Sequence, residues 1–180
     1  MGDELLSQLT AKTNPVQFRE LNPDWQKKIT DYVIGETDSI YGVFPDTIET
    51  LADVVEVAYI NNWSILPCGN GSKLDWGGLT DNIQLVVSTQ KCDRIIDHAV
   101  GDLTVTVEAG VKLADLQATL AATNQFLPID PAYPEQATIG GIVATADTGS
   151  WRNRYGGIRD LILGISFIRG DGKIAKAGGR

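Results

Sequence analysis

The chain has 180 residues, 43% of them hydrophobic and 21% charged, enough apolar material for one ordinary core or two small lobes. Its formal charge of −8 argues against nucleic-acid binding, which selects for clustered Lys and Arg, and no basic run or basic–aromatic stripe interrupts the acidity. Two separated cysteines, Cys68 and Cys92, and a single histidine, His98, supply neither a disulfide framework nor an iron–sulfur or metal ligand set.

The chain opens MGDELLSQLT, which is acidic and has no apolar h-region, so it does not read as a secretory signal, and Gly2 does not open an acylation motif. No apolar run approaches the ~18 residues a membrane span needs, so no transmembrane segment and a cytoplasmic location are expected. Residues 1–42 read as a lead-in, with short helices around Glu4 to Leu9 and Asp24 to Tyr32. Val43-Phe44-Pro45 predicts a strand closed by proline. Asp46 then caps a helix, with Glu49 in capping-box position. Ile48, Leu51, Val55, Ala58 and Tyr59 form its apolar face, and Asn61-Asn62 ends it. Ser64 to Pro67 reads as a buried strand, and Ile83 to Val87 as another.

Between those two strands lies ILPCGNGSKLDWGG, Ile65 to Gly78. A glycine loop at the carboxyl end of a strand is where open α/β sheets place ligands, and its bare N–H groups suit a phosphate. The glycines stand too close together for GxxxxGK[ST]. The third glycine of GxGxxG is replaced by Leu74, so neither of those fingerprints fits.

The second half alternates at Leu103 to Glu108, as a half-buried strand does, and then places Leu113, Leu116 and Leu120 on a helix face running to Asn124. Phe126 to Ile129 reads as extended, and the two prolines of Asp130-Pro131-Ala132-Tyr133-Pro134 forbid regular structure. Leu161 to Arg169, the turn Gly170-Asp171-Gly172 and Ile174 to Ala177 predict an antiparallel hairpin. Between them lies a second small-residue region, Thr138-Ile139-Gly140-Gly141 through Ala144, Ala146 and Gly149. Small residues at this density let a backbone lie flat against a planar ligand. Two separated glycine-rich surfaces, one for a pyrophosphate and one for a ring system, fit a dinucleotide. His98 reads as a turn residue and Lys73 as a solvated loop lysine. Arg152, Arg154 and Arg159 have two readings, clamps for an anion or surface partners of Asp147 and Asp160.

The ordered set PCGNGSKLDWGG, VEAGVKLADLQATL and LPIDPAYPEQATIGGIVATADTGSWRNRYGGIRDLILG resembles the FAD-binding domain of the vanillyl-alcohol oxidase / p-cresol methylhydroxylase superfamily, from about residue 43 onward. RYGGIRDLILG followed by DGKIAKAGGR most resembles the FAD-binding subunit of bacterial glycolate dehydrogenase (glycolate oxidase). The resemblance implies an α+β, two-lobed FAD-binding domain of the p-cresol methylhydroxylase type. A first lobe of mainly parallel strands (43–90) and a second of mixed or antiparallel strands (91–180) would hold FAD in the cleft between them. The chain would be truncated at its C-terminus and would lack a substrate cap.

By motif, Cys68, Gly69, Asn70, Gly71, Ser72, Lys73 and Leu74 would form the pyrophosphate loop. Pro131, Ala137, Thr138, Ile139, Gly140 and Gly141 would follow the pyrophosphate and ribityl chain. Ala144 to Gly149 would lie near the isoalloxazine, and Ile165 at the adenine end. The loop has no histidine, so the FAD would be non-covalent, with Cys68 the sole suspect for an attachment.

The implied activity is dehydrogenation or oxidation of a small 2-hydroxy acid, with hydride passing to the flavin N5 and an iron–sulfur subunit as partner, through which the protein would lie peripheral to a membrane. No residue presents itself as the catalytic base. The alternatives are another flavoenzyme of the superfamily, such as a D-lactate dehydrogenase, a module binding a mononucleotide, and a flavin-less interaction subunit keeping the fold.

Overall fold

The computed structural model describes residues 7, 9, 10, 17–21, 23–34 and 40–179. The helix expected around Glu4 to Leu9 lies for the most part outside the described residues, as does Gly2.

The elements, in chain order, begin with β1 (Gln17–Glu20), α1 (Pro23–Thr30), β2 (Val33–Ile34), β3 (Tyr41–Phe44), α2 (Ile48–Ile60), β4 (Ile65–Cys68), β5 (Thr80–Asp81) and β6 (Leu85–Ser88). A four-stranded sheet has the order β1-β3-β6-β4, with β3, β6 and β4 mutually parallel and β1 antiparallel on the edge of β3. The central strand β6 is buried on both faces, so LVV is an unbroken apolar run, as a parallel strand covered on both sides must be. Alternation sorts its side chains. Leu85 and Val87 join Val43 and the α2 residues Val54 and Val57 on one face. Val86 and Phe44 join Leu21, Ile29 of α1, Ile40 and Ile83 on the other. β2 and β5 form a separate parallel pair.

The remaining elements are β7 (Ile95–Ala99), β8 (Thr104–Val107), α3 (Leu113–Ala121), α4 (Ile139–Thr145), α5 (Arg152–Tyr155), α6 (Ile158–Leu161), β9 (Gly164–Ile168) and β10 (Ile174–Gly178). β7 and β8 form an antiparallel pair, as do β9 and β10. Leu116 and Leu120 of α3 pack with Val111, and Leu113 packs with Ile129, Ala137, Ile142 and Ile158. The β9–β10 hairpin lies on α2, with Gly172 in its turn so close to Glu56 that a Cβ there would meet the helix backbone. The first part is thus built on parallel strands and the second on antiparallel pairs, the mixed α and β architecture expected.

Several local expectations need correction. The cap of α2 is Thr47, not Asp46. Thr47 has extended backbone (φ −135°, ψ 158°) and its hydroxyl accepts the Thr50 amide at 3.1 Å, so the helix starts one residue later than an Asp46 cap requires. The buried face of α2 runs through Val54, Val57 and Ala58, which leaves Tyr59 61% exposed. β4 is half-buried because it is the sheet's outer strand. His98 lies within β7 and pairs its Nε2 with Gln125 Oε1 at 2.8 Å. Thr138 to Ala144, read only as small and apolar, forms the capped helix α4.

Candidate functional site

The parallel strands deliver their carboxyl ends to one edge, and the loop from Cys68 to Leu74 leaves β4 there. Its first turn is tied down from below. Ser88, fully buried at the end of β6, donates its hydroxyl to the Gly69 carbonyl at 2.9 Å, and the Thr89 amide donates to the Cys68 carbonyl at 2.9 Å. Gly71 takes the left-handed conformation (φ 66°) that reverses the chain.

The carbonyls of Cys68 and Gly69 are engaged but the loop's backbone donors are not. None of the backbone N–H groups from Gly69 to Lys73 donates to an acceptor among the described residues. Consecutive free amides around a left-handed residue form a concave donor surface for an anion.

Lys73 adds a charge to that surface. Its Nζ lies 2.6 Å from Asp147 Oδ2, and the two side chains are only 6% and 9% exposed. Beside that carboxylate, the ammonium also sits 5.2 Å from the ring centre of Trp76. Lys73 is therefore not the solvated lysine expected. Asp147 is anchored in turn by the Ala132 amide at 2.9 Å.

The structure brings the two glycine regions into contact. A Cβ at Gly69 would collide with the Thr138 hydroxyl, and Asn70 Nδ2 donates to the Gln136 carbonyl at 3.0 Å. The second region differs in its donors. The amides of Ile139 and Gly140 are taken by the carbonyls of Val111 and Ala109, both at 2.8 Å, and that of Gly141 by the capping Thr138 hydroxyl at 3.3 Å. Ala137 and Thr138 are buried, while Ala144 and Gly149 lie exposed. Gly149 (φ 73°) presses on the Asp130 backbone. Pro131 is buried and lines a groove with Leu113, Gln117, Ile129 and Glu135, and no residue of the 68–74 loop lines that groove. Ile165, 41% exposed in β9, pairs with Ala177.

Arg152, Arg154 and Arg159 form no ion pair among the described residues. Asp147 is taken by Lys73, and Asp160 accepts the Gly157 amide at 3.0 Å. Of their two readings, pairing with those aspartates is overturned. Burial pushes the Cys68 thiol up to about 12, a hydrogen bond to Ser88 only partly opposing it, so the thiol stays protonated near neutral pH.

Sequence reasoning missed Ser88 and the pairing of Asp147 with Lys73. A polar residue closing the apolar run LVV signals the first. The second joins residues far apart in sequence and leaves no local trace.

Residues 40–178 match the family model described as FAD binding domain. A D-2-hydroxyglutarate dehydrogenase from Xanthomonas citri pv. viticola is 26% identical over 92% of this chain and 34% of its own length. The glycolate oxidase subunit GlcE of Escherichia coli (strain K12) is 32% identical over 74% of this chain and 38% of its own. The chain therefore spans about a third of the length of these relatives. Among solved structures, alkyldihydroxyacetonephosphate synthase superposes with a TM-score of 0.75 at 18% identity, covering 98% of this chain and 34% of the other. Chitooligosaccharide oxidase gives 0.73 at 18%, covering 97% and 37%. At such identities these two share the fold alone. No helix among the described residues is long and apolar enough to cross a membrane. With the family's pattern running from the first parallel strands to the last hairpin, the chain belongs to the FAD binding domain family of the vanillyl-alcohol oxidase / p-cresol methylhydroxylase type, a flavoprotein family of oxidoreductases.

Proposed function

We propose that this chain is the FAD-holding part of a dehydrogenase or oxidase acting on a small 2-hydroxy acid such as glycolate. The observation that carries the reading is the loop from Gly69 to Lys73, whose backbone amides have no acceptor among the described residues and whose one cation, Lys73, is buried beside Asp147. Buried polar groups left without partners are destabilising, and an anionic ligand such as a pyrophosphate supplies the missing acceptors.

Residues 43–90 and 91–180 are the two lobes flanking the ligand, after a lead-in over 1–42. Cys68 to Leu74 hold the pyrophosphate. Ala137 to Gly141 follow the ribityl side, where the amides of Ile139, Gly140 and Gly141 are already taken, with Pro131 beside them. Ala144 to Gly149 and Ile165 border the two ends of the cofactor. The cofactor is held non-covalently, since the loop has no histidine and the half-buried Cys68 thiol is protonated. When bound, FAD supplies the acceptor for hydride leaving the substrate's α-carbon. The residues described here bind and orient it.

The substrate class is supported by relatives whose names specify 2-hydroxyglutarate, lactate and glycolate, all 2-hydroxy acids. Membership in a multi-subunit assembly is supported by the relative named as a glycolate oxidase subunit, and an iron–sulfur subunit receiving the electrons is what the family resemblance implies.

The test is an absorbance spectrum after incubation with FAD and desalting. Bands near about 450 and 370 nm that stay with the protein and are released by acid are expected. A protein that stays colourless with excess FAD overturns the reading. For the holoprotein, anaerobic bleaching of the longer band by glycolate, D-lactate or D-2-hydroxyglutarate ranks the substrates, and no bleaching by any of them sinks the substrate class.

A further inference from the structure

We propose that Asp147 sets the charge selectivity of the nucleotide site, favouring the pyrophosphate diester of FAD over nucleotides that end in a free phosphate. This rests on the reading that the 68–74 loop holds the pyrophosphate.

Lys73 is the single cation in that loop, and Asp147 neutralises it at 2.6 Å. The aspartate cannot swing away freely, because the same Oδ2 accepts the Ala132 amide at 2.9 Å and the side chain is 9% exposed. A ligand at the free amides of Gly69 to Lys73 therefore meets a fixed carboxylate beside the ammonium. The donor dipoles attract the ligand, while the formal charges of the pair nearly cancel.

That balance discriminates by ligand charge. A pyrophosphate diester carries two negative charges, whereas ADP, with its terminal monoester, carries about three at neutral pH. Repulsion from a fixed carboxylate grows with each added ligand charge and is screened little in a buried site. Asp147 thus raises the free energy of bound ADP more than that of bound FAD. Without the carboxylate, Lys73 would act as a full positive charge and reward the more anionic ligand.

The experiment measures dissociation constants of FAD and ADP by calorimetry for the wild type, Asp147→Asn, Asp147→Glu, Lys73→Met and the Lys73→Met/Asp147→Asn double variant. The FAD-to-ADP preference of the wild type should fall about fivefold or more in Asp147→Asn. It should return toward the wild-type value in Asp147→Glu. It should rise in Lys73→Met and come back near the wild type in the double variant, whose site charge is again balanced. Ratios between variants cancel the contributions of the flavin and adenine rings, so general loosening of the site does not imitate the effect.

If Asp147→Asn does not fold, the comparison of Lys73→Met with the double variant carries the same information. An unchanged preference, or equal weakening of both ligands in Asp147→Asn, overturns the proposal and leaves the aspartate a mere support for Lys73. Failure of the wild type to bind FAD at all removes the pyrophosphate reading itself, a different result from an unchanged ratio.

Discussion

The two glycine-rich segments, Cys68 to Leu74 and Ala137 to Gly149, look alike in sequence and differ in what their backbones have left to give. In the first, the amides from Gly69 to Lys73 are free. In the second, the amides of Ile139, Gly140 and Gly141 are spent on Val111, Ala109 and Thr138. Gly140 is small because Ala109 leaves no room, and Gly149 because Asp130 does. A glycine marks a place where something comes close to the backbone. Whether that something is a ligand or the protein itself depends on where the hydrogen bonds go.

The sharpest way to break this contrast is Gly140→Val. Its Cβ would stand 2.8 Å from the Ala109 Cβ and 3.0 Å from the Ala109 carbonyl oxygen, neither of which is the end of a flexible side chain. We expect a loss of about 3 kcal/mol in urea unfolding. A variant that keeps its stability and loses only flavin would mean that Gly140 is small for the ligand rather than for Ala109.

Gly71→Ala tests the first segment. Its φ of 66° and a Cβ 3.3 Å from Leu74 Cδ1 predict a smaller loss of stability, about 1–2 kcal/mol. FAD affinity should nevertheless fall about tenfold, as reorienting one peptide withdraws a donor from a charged ligand. Unfolding and flavin binding should thus rank the two variants in opposite order, and the same ranking in both would dissolve the distinction.

Much of this fold was legible because its signals are local. Leu113, Leu116 and Leu120 at helical spacing, the Gly170-Asp171-Gly172 turn and the apolar run of β6 each report an element that forms, with ends shifted by two or three residues for the helix and the strand. The cap of α2 was misplaced because Asp46 and Thr47 are both good capping residues, and only the backbone angle at Thr47 decides between them. The glycine loop itself could be placed after β4, since Gly69 and Gly71 follow directly on an apolar run. Its electrostatics could not, because the partner of Lys73 stands in the other half of the chain. Pairings between distant segments depend on the packing of whole elements, which spacing along the sequence does not encode.

Cys68 offers a third, milder test, at the point where the first segment leaves its strand. With its thiol pushed up to about 12 by burial, it should react with iodoacetamide at pH 8 at least about a hundredfold more slowly in the native protein than in urea. Cys68→Ser should retain acid-releasable flavin and lose about 1 kcal/mol of stability. A flavin that stays with the wild-type chain through acid and denaturant, but not with Cys68→Ser, would show the thiol to be an attachment point.

The smallest effect is expected behind the second segment, at Glu108. Its carboxylate accepts from the Arg94 amide at 2.8 Å and from the guanidinium at 2.6 and 3.1 Å, bracing the stretch whose Ala109 carbonyl receives the Gly140 amide. The hydrogen bonds from Arg94, chiefly those of its side chain, hold the Glu108 carboxyl below the ordinary glutamate value of 4.5, outweighing the opposing effect of burial. A carboxyl depressed in the folded state adds stability that is fully present above its unfolded pKa and is lost as pH falls through the folded one. The Arg94 side chain is 67% exposed, so solvent screening keeps that contribution under about 1 kcal/mol. Glu108→Gln should therefore lower stability slightly at pH 7 and flatten the decline of stability below about pH 4.5, so that the two proteins converge at acid pH. Curves that stay parallel down to pH 3 would mean the pair does not brace this stretch through charge, leaving the packing of Gly140 on Ala109 to hold the second segment in place.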